Sequence, residues 1–410
     1  MSAPHRSLPS AVYLYDDARA RTFEPFALTR PAGELRAGAL LVRERWARAL
    51  RGTVSGHVAA PHLAGFEEPD AAPVIDGGEI PAGSWLANAR FAPALADAPR
   101  GEVLVADDRV AAVRLSAALD VERLRGGSAT LDELAARLPR EISSIDGWWM
   151  DEVWDYVGFL VPMLERDLPI LGASLPRGVP PQAFGVGEQP VFVEAGAVVE
   201  PNVCFDVSAG PILLRSGSHV QAFTRLVGPL YVGRESTLTT DRIAASSIGD
   251  VCKVHGEVSN TIFLGHANKG HDGFVGHSIL GRWVNLGAGT ITSNLKNTYG
   301  SVQLWTPHGV RETGLQFLGT LFGDHTKTGI GLRLTTGTVL GAGANVYGSM
   351  MPPKVVSPFS WGEAEAFSDY RPDKFLEVAA RMMARRHVTL GDGARRQLLA
   401  SYELRWSADG

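Results

Sequence analysis

From Val191 to about Met351 the chain repeats itself every six residues. Val193, Val199 and Phe205 fall in one frame, and Leu214, Val220, Leu226, Val232 and Leu238 in a second. Ile248 and Val254 follow, then Leu280 and Leu286, then Phe322, Thr328, Leu334, Leu340 and Val346. A glycine commonly comes next, as at Gly233, Gly249, Gly281, Gly287, Gly323, Gly329 and Gly341. Neither a helix, with its period of 3.6, nor an alternating strand yields this pattern. Hexads in several frames predict a parallel β-helix, each hexad a short strand with its aliphatic turned inward and a small residue at the corner. Three hexads, about 18 residues, complete one triangular coil of the left-handed form, and each coil buries its apolar face only by stacking on its neighbours. The frame breaks at 239–247, 263–275 and 293–321 read as insertions, expected as loops on one face, often the binding face.

The segment before the period differs in kind. "AVYLYDD" (Ala11–Asp17) reads as a strand ending in acids, and Glu34–Leu50 as a helix. Short strands are expected over Gly83–Phe91 and Gly101–Leu115. Thr130 with Glu133 forms a capping-box pattern opening a helix over Thr130–Leu138, and Trp148–Leu168 reads as a long amphipathic helix. Strands alternating with helices predict an α/β layer fold. The expected organisation is therefore an α/β domain over 1–177, a Pro/Gly linker over 178–190, the β-helix over 191–351 and a helical extension over 352–410. In that extension Arg371–His387 and Gly393–Trp406 read as helices.

Composition excludes some classes. A net charge of −5 gives no reason to expect nucleic acid or an anionic membrane as partner. No apolar run approaches the roughly 20 residues that span a bilayer. Two cysteines, Cys204 and Cys252, make no disulfide framework, and no signal peptide is visible, so a cytoplasmic protein is expected. Lysine is absent from residues 1–252 and then occurs at Lys253, Lys269, Lys296, Lys327, Lys354 and Lys374. A genomic preference for arginine accounts for this, or lysine persists where a compact point charge is needed. Seven of eleven histidines lie in 219–325.

An α/β domain followed by hexapeptide repeats resembles the bifunctional GlmU family, whose members acetylate glucosamine-1-phosphate and then uridylylate it. Around the catalytic histidine of that family the chain runs Gly-His, an aromatic three residues on, Gly, then Val-Asn-Ile-Gly-Ala-Gly-Thr. Here Gly270-His271, Phe274 and Gly276 are followed by "VNLGAGT" (Val284–Thr290), and Asn294 matches a further asparagine. "SNLKNTYG", "TGLQFLGTLFGDHTKTGI" and "PFSWG" are similar to a divergent branch of GlmU-like sugar nucleotidyltransferases. The resemblance is strong over 264–362 and weak over 1–177.

It implies acetyl-CoA as acyl donor, a small-molecule sugar phosphate as acceptor and a homotrimer with sites between subunits. A neutral imidazole suits removal of a proton from an attacking amine, which makes His271 the candidate base, its ring oriented by Asp272 or a backbone carbonyl. Lys269, Asn285, Asn294 and Lys296 are the candidate acceptor contacts. Gly287 and Ala288, in a turn that would expose amides to a developing oxyanion, and His325 with Lys327 are candidates for the donor. Each has a plain alternative: a corner histidine as a polar turn residue, an asparagine stacked on neighbouring coils, a solvated lysine. His277 and Trp283 read as structural, the latter packed on a helix or a neighbouring subunit. The histidines show no zinc spacing, and no metal is expected in the β-helix.

Nucleotidyl transfer in such families needs a Gly-rich loop ending in Thr-Arg, a lysine and a magnesium-binding Asp. The chain keeps Thr29 and Arg30, the candidate nucleotide contacts, without the glycines or any lysine, and Arg90 stands where the metal ligand would be. Asp16, Asp17, Asp107 and Asp108 remain as acids at strand ends. Magnesium is expected only if this half is active. The sequence thus favours an acyl-transferring β-helix with a degenerate partner domain. A nucleotidyltransferase making a UDP- or dTDP-sugar and a non-catalytic sugar- or partner-binding solenoid are the alternatives.

Overall fold

A computed structural model describes residues 10–96, 100–136, 141–364 and 366–408. The chain divides into two compact units. One comprises 10–21, 30–35 and 40–151; the other comprises 22–29, 36–39 and everything from Glu152.

The first unit is built on a mixed six-stranded sheet of β1 (Ala11–Tyr15), β2 (Thr53–Val58), β3 (Trp85–Asn88), β4 (Val103–Ala106), β5 (Arg109–Arg114) and β6 (Ile142–Ser144). Their order is β6-β4-β5-β3-β1-β2. β3, β1 and β2 are parallel, and β5 runs antiparallel to both β3 and β4. The β4–β5 hairpin turns on Asp107 and Asp108, both at positive φ as a two-residue primed turn requires. Tyr15, Val58, Leu86, Val103 and Val113 fill the core. The Thr130–Glu133 capping box forms as expected at the head of α2 (Leu131–Ala135); Arg137 and Leu138 lie outside the described residues.

Two helices are shorter than the sequence pattern predicts. α1 spans Val42–Ala49 rather than starting at Glu34. Glu34 is buried against His57 and Arg43, and Gly38 takes φ +61°, so the residues before α1 leave the helical region. Trp148 and Trp149 are not helical but pair as a strand with Phe91–Pro93, where Trp149 meets Phe91 at 5.0 Å and donates to the Ala106 carbonyl. A helical turn over Asp155–Gly158 and then α3 (Leu160–Leu171) follow in the second unit, the Asp167 carboxylate accepting from the Ala39 amide at 3.0 Å.

The second unit is the predicted solenoid. Three parallel sheets run along it, of nine, ten and six strands, the ten-stranded one ending in an antiparallel strand. The predicted rungs point inward: Leu214, Val220, Leu226, Val232, Leu238, Ile248, Val254, Leu280 and Phe322 share one buried core with Leu340 and Val346. The first rung lies earlier than the period suggests, at Phe184–Val186, which pairs with Cys204–Asp206.

Two of the expected insertions are in fact deletions. Tyr231 pairs with Ser247, Ser247 with Ile262 and Ile262 with Ile279, so three successive coils are 16, 15 and 17 residues long, each shorter than three full hexads. A coil that sheds residues at a corner breaks the hexad frame as an insertion does, yet extrudes nothing. Only 293–321 is a true insertion, carrying a hairpin of Gln303–Thr306 and Gly309–Glu312. After the solenoid come α4 (Pro372–Ala384), with Pro at its first turn, and α5 (Asp392–Glu403). They pack with Trp283, Phe359 and Tyr370 as a second core, so Trp283 meets a helix as expected. No described helix is long and apolar enough to cross a membrane.

Candidate functional site

His271 sits at a corner of the solenoid, after the strand Asn268–Lys269, with its side chain exposed. Sequence and register explain how the corner is held. Val254 is the inward rung of the coil before, and its register partner is Lys269, so a lysine stands in the apolar column. It is 2% exposed. Its ammonium turns to the corner and donates to the His255 carbonyl at 2.6 Å and to the His271 carbonyl at 2.7 Å. Burial pushes Lys269 down to about 8, with Asp272 and Asp241 acting against the shift. Lys269 is therefore a clamp on the His271 turn rather than a surface contact for phosphate.

The turn closes against the next coil. Gly289 donates its amide to the Asp272 carbonyl at 3.1 Å. Gly273 has φ +118°, and a Cβ there would lie 2.2 Å from the Thr290 carbonyl oxygen, so only glycine fits. Asp272 leans toward His255, 3.6 Å from its Nε2, and among the described residues no hydrogen bond reaches the His271 ring. Asp241, His255 and Asp272, from three successive coils, bring ligand atoms within 4.8 Å of one another, a grouping that the linear spacing did not signal.

The other predicted residues divide among several arrangements. Asn285 accepts from the Asn268 amide at 2.7 Å and is the register partner of Lys327. Asn294 is bonded at 2.8 Å to the Nδ1 of His277, whose ring stacks on Phe317 and is pushed down to about 4 by burial, so His277 is structural as read from the sequence. Lys296 donates to the Ser301 carbonyl within the inserted loop. The Gly287 amide is bonded to Thr328 and the Gly289 amide to Asp272, so these N–H groups are committed to the coil instead of facing an oxyanion; Ala288 contributes its carbonyl to Gly331. His325 is buried, stacked on Trp283 and set edge-on to Phe375. Lys327, donating to the His325 carbonyl, is pushed down to about 8 by burial.

The first unit's acids have a different arrangement. Arg90 places two guanidinium nitrogens on the Asp17 carboxylate at 2.8 to 3.0 Å and the third on Asp151 at 2.8 Å. Arg109 also reaches Asp151, at 2.8 Å. Burial alone would raise Asp17, but the hydrogen bonds and charge of Arg90 outweigh it and hold the carboxyl below the usual range. The same balance, with Arg109 and Arg90 as the cations, lowers Asp151. Asp16 is pushed up to about 6 by burial. The guanidinium occupies both Asp17 oxygens and one of Asp151, so a cation already stands between the two carboxylates, and they do not fit magnesium. Thr29 and Arg30 do not present themselves to a nucleotide either. Thr29 donates to the Asp324 carboxylate at 2.7 Å, and Arg30, 2% exposed, pairs with Glu68 beside the Phe66 ring.

Residues 12–174 match the family described as sugar nucleotidyl transferase. The chain is also similar to the bifunctional protein GlmU of Methanococcus vannielii, 27% identical over 151 residues, covering 37% of this chain and 33% of that protein. A bifunctional sugar-1-phosphate nucleotidylyltransferase/acetyltransferase of Sulfurisphaera tokodaii is 31% identical over 91 residues, 22% of this chain and 23% of its own. Over these stretches the chain is similar to GlmU proteins. These matches span about a quarter to a third of the relatives' length. Among solved structures, AntD, an N-acyltransferase from Bacillus cereus, is similar at 12% identity and a TM-score of 0.21, over 50% of this chain and 91% of that one, a likeness that carries no argument here.

Proposed function

We propose that the chain is an acyltransferase whose solenoid moves an acetyl group from acetyl-CoA to the amine of an amino-sugar phosphate, with His271 as general base. The observation that carries this reading is the His271 turn itself: an exposed imidazole on a corner locked from inside by the Lys269 ammonium and from the next coil by Gly289. The name of the Sulfurisphaera tokodaii relative, which couples nucleotidyl and acetyl transfer, supports it.

In the reaction the neutral His271 ring takes the proton from the attacking nitrogen as the new C–N bond forms, and the thiolate of coenzyme A leaves with the sulfur. Lys269 keeps the imidazole's backbone fixed, which matters because a misplaced base loses much of its effect. Asn285, held by Asn268, is offered as an acceptor contact, with Asn294 and Lys296 as further contacts from the inserted loop. In a homotrimer the site is completed by a neighbouring subunit, while His325, buried against Phe375, stays within its own chain. A cytoplasmic location fits acetyl-CoA as donor. The first unit serves binding or assembly, because Arg90 fills the place that a nucleotidyl-transferring metal needs.

The test is thiol release from acetyl-CoA in the presence of glucosamine-1-phosphate and other amino-sugar phosphates. Turnover that collapses in His271→Ala supports the role; turnover that survives it removes His271 from the mechanism. Sedimentation gives the oligomeric state.

A further inference from the structure

A cavity lies on the outer side of the ten-stranded sheet, beside the end of α4. It encloses about 190 Å³. Its wall is a polar ladder set by register: Lys253 pairs with Asn268, and Asn268 with Asn285. Strands in adjacent coils are about 4.8 Å apart, so these side chains present ammonium and amide groups at that interval. The remaining wall is aromatic: Trp283, 1% exposed, meets the His266 ring at 4.3 Å. The α4 end supplies Met382, Arg385 and Arg386.

The chemistry of this lining is one-sided. Lys253, Arg385 and Arg386 face it, and among the described residues no Asp or Glu does. Among the described residues none of these three cations is ion-paired. Arg386 is anchored instead to the Val251 carbonyl at 3.1 Å, which ties the helix end to the solenoid. His266 adds no charge: burial, with Arg282 and Arg386 beside it, pushes it down to about 3. Its Nδ1 lies 3.2 Å from the Arg282 guanidinium, which only donates, so Nδ1 accepts and Nε2 carries the proton. Three cations gathered on one cavity without a counter-charge repel one another, and the arrangement is relieved by an anion.

We propose that this cavity binds a phosphate dianion carried by a small molecule, with Lys253 and Arg385 as its principal ionic contacts and the amides of Asn268 and Asn285 as neutral ones. Arginine suits the role because its planar fork matches two phosphate oxygens at once, and the paired amides suit a ligand that also carries hydroxyls. Asn285, an acceptor contact in the proposed reaction, also lines this cavity, but neither His271 nor Lys269 does, so anion binding here stands whether or not His271 is a base.

The experiment is calorimetric titration of the full chain with inorganic phosphate and, separately, with glucose 1-phosphate, chloride at matched ionic strength being the control. Saturable binding is expected, weakened about tenfold or more in Lys253→Gln and in Arg385→Gln, the size of one lost charge-assisted hydrogen bond. Arg381→Gln should bind as the parent does, because that arginine is paired with Glu377 on the exposed side of α4. Both lining residues changed are exposed, and unchanged thermal melting confirms that the variants fold. Tighter binding of glucose 1-phosphate than of phosphate assigns the site to a phosphorylated sugar; equal binding assigns it to free phosphate. No saturable binding of either, or equal affinity in the lining variants and the parent, overturns the proposal.

Discussion

The corner at His271 and the cluster at Arg90 are built from the same kinds of group and end in opposite states. At the solenoid corner a lysine is drawn inward and spends its hydrogen bonds on two backbone carbonyls, leaving the imidazole outside and unengaged. In the first unit an arginine spends its guanidinium on two carboxylates and closes the place where an ion would act. One cation prepares a functional group and the other consumes two. A point charge on a flexible stem reaches carbonyls from a core rung, whereas the arginine fork saturates acids. The comparison teaches that activity in a two-part chain is judged by where each cation's hydrogen bonds go, and not by the fold that surrounds it.

Four predictions sharpen or break this contrast. The largest concerns the base: His271→Ala should lower acetyl-CoA turnover by about 10²- to 10⁴-fold, the range of general base catalysis, with thermal stability unchanged because the ring is exposed. Next is the arginine. Arg90→Ala leaves Asp17 and Asp151 facing each other without their shared cation and should cost the first unit about 3 kcal/mol in denaturant unfolding. Arg90→Asp should make that unit's stability respond to magnesium, and a parent protein that already responds would refute the reading of this cluster. Third, Lys269→Met keeps the stem in the core but cuts both ties to the turn. Turnover should fall about tenfold, mainly in kcat, since a positioning group acts on geometry more than on substrate affinity. The smallest effect is a pH dependence. His277 has its proton affinity lowered by burial, to about 4, so the unfolded chain binds the proton more readily. Stability of the second unit should be full above about 6.5 and decline as pH falls from 6.5 toward 4. His277→Gln should flatten that decline, and an unchanged slope would count against it.

Much of this is legible in the sequence alone. The rungs Leu214, Val220, Leu226, Val232 and Leu238 are buried as the hexads require, because stacking leaves an aliphatic nowhere else to point. Arg90 at the acids was also readable, although its second partner, Asp151, needed tertiary structure. The shortened coils were not, since the loss of one to three residues at a corner shifts the frame just as an insertion does. The sequence offers Lys269 as a substrate contact because a charge at an inward rung contradicts the pattern, and only the register with Val254 reveals its inward place. The partner of Thr29 is hidden for a related reason: its hydroxyl donates to Asp324, 295 residues away in sequence, a distance over which local pattern carries no information. The Arg385–Arg386 pair looked like an ordinary helix end, and its meaning came from the lysine and asparagines facing it.

The most direct test runs both half-reactions on one preparation of the whole protein. Acetyl transfer is followed by thiol release with glucosamine-1-phosphate, and nucleotidyl transfer by pyrophosphate release from UTP and dTTP with magnesium and the same sugar phosphates. Thiol release that needs His271, with no pyrophosphate above background, is the predicted result. Magnesium-dependent pyrophosphate release, with thiol release absent or indifferent to His271, would contradict the account.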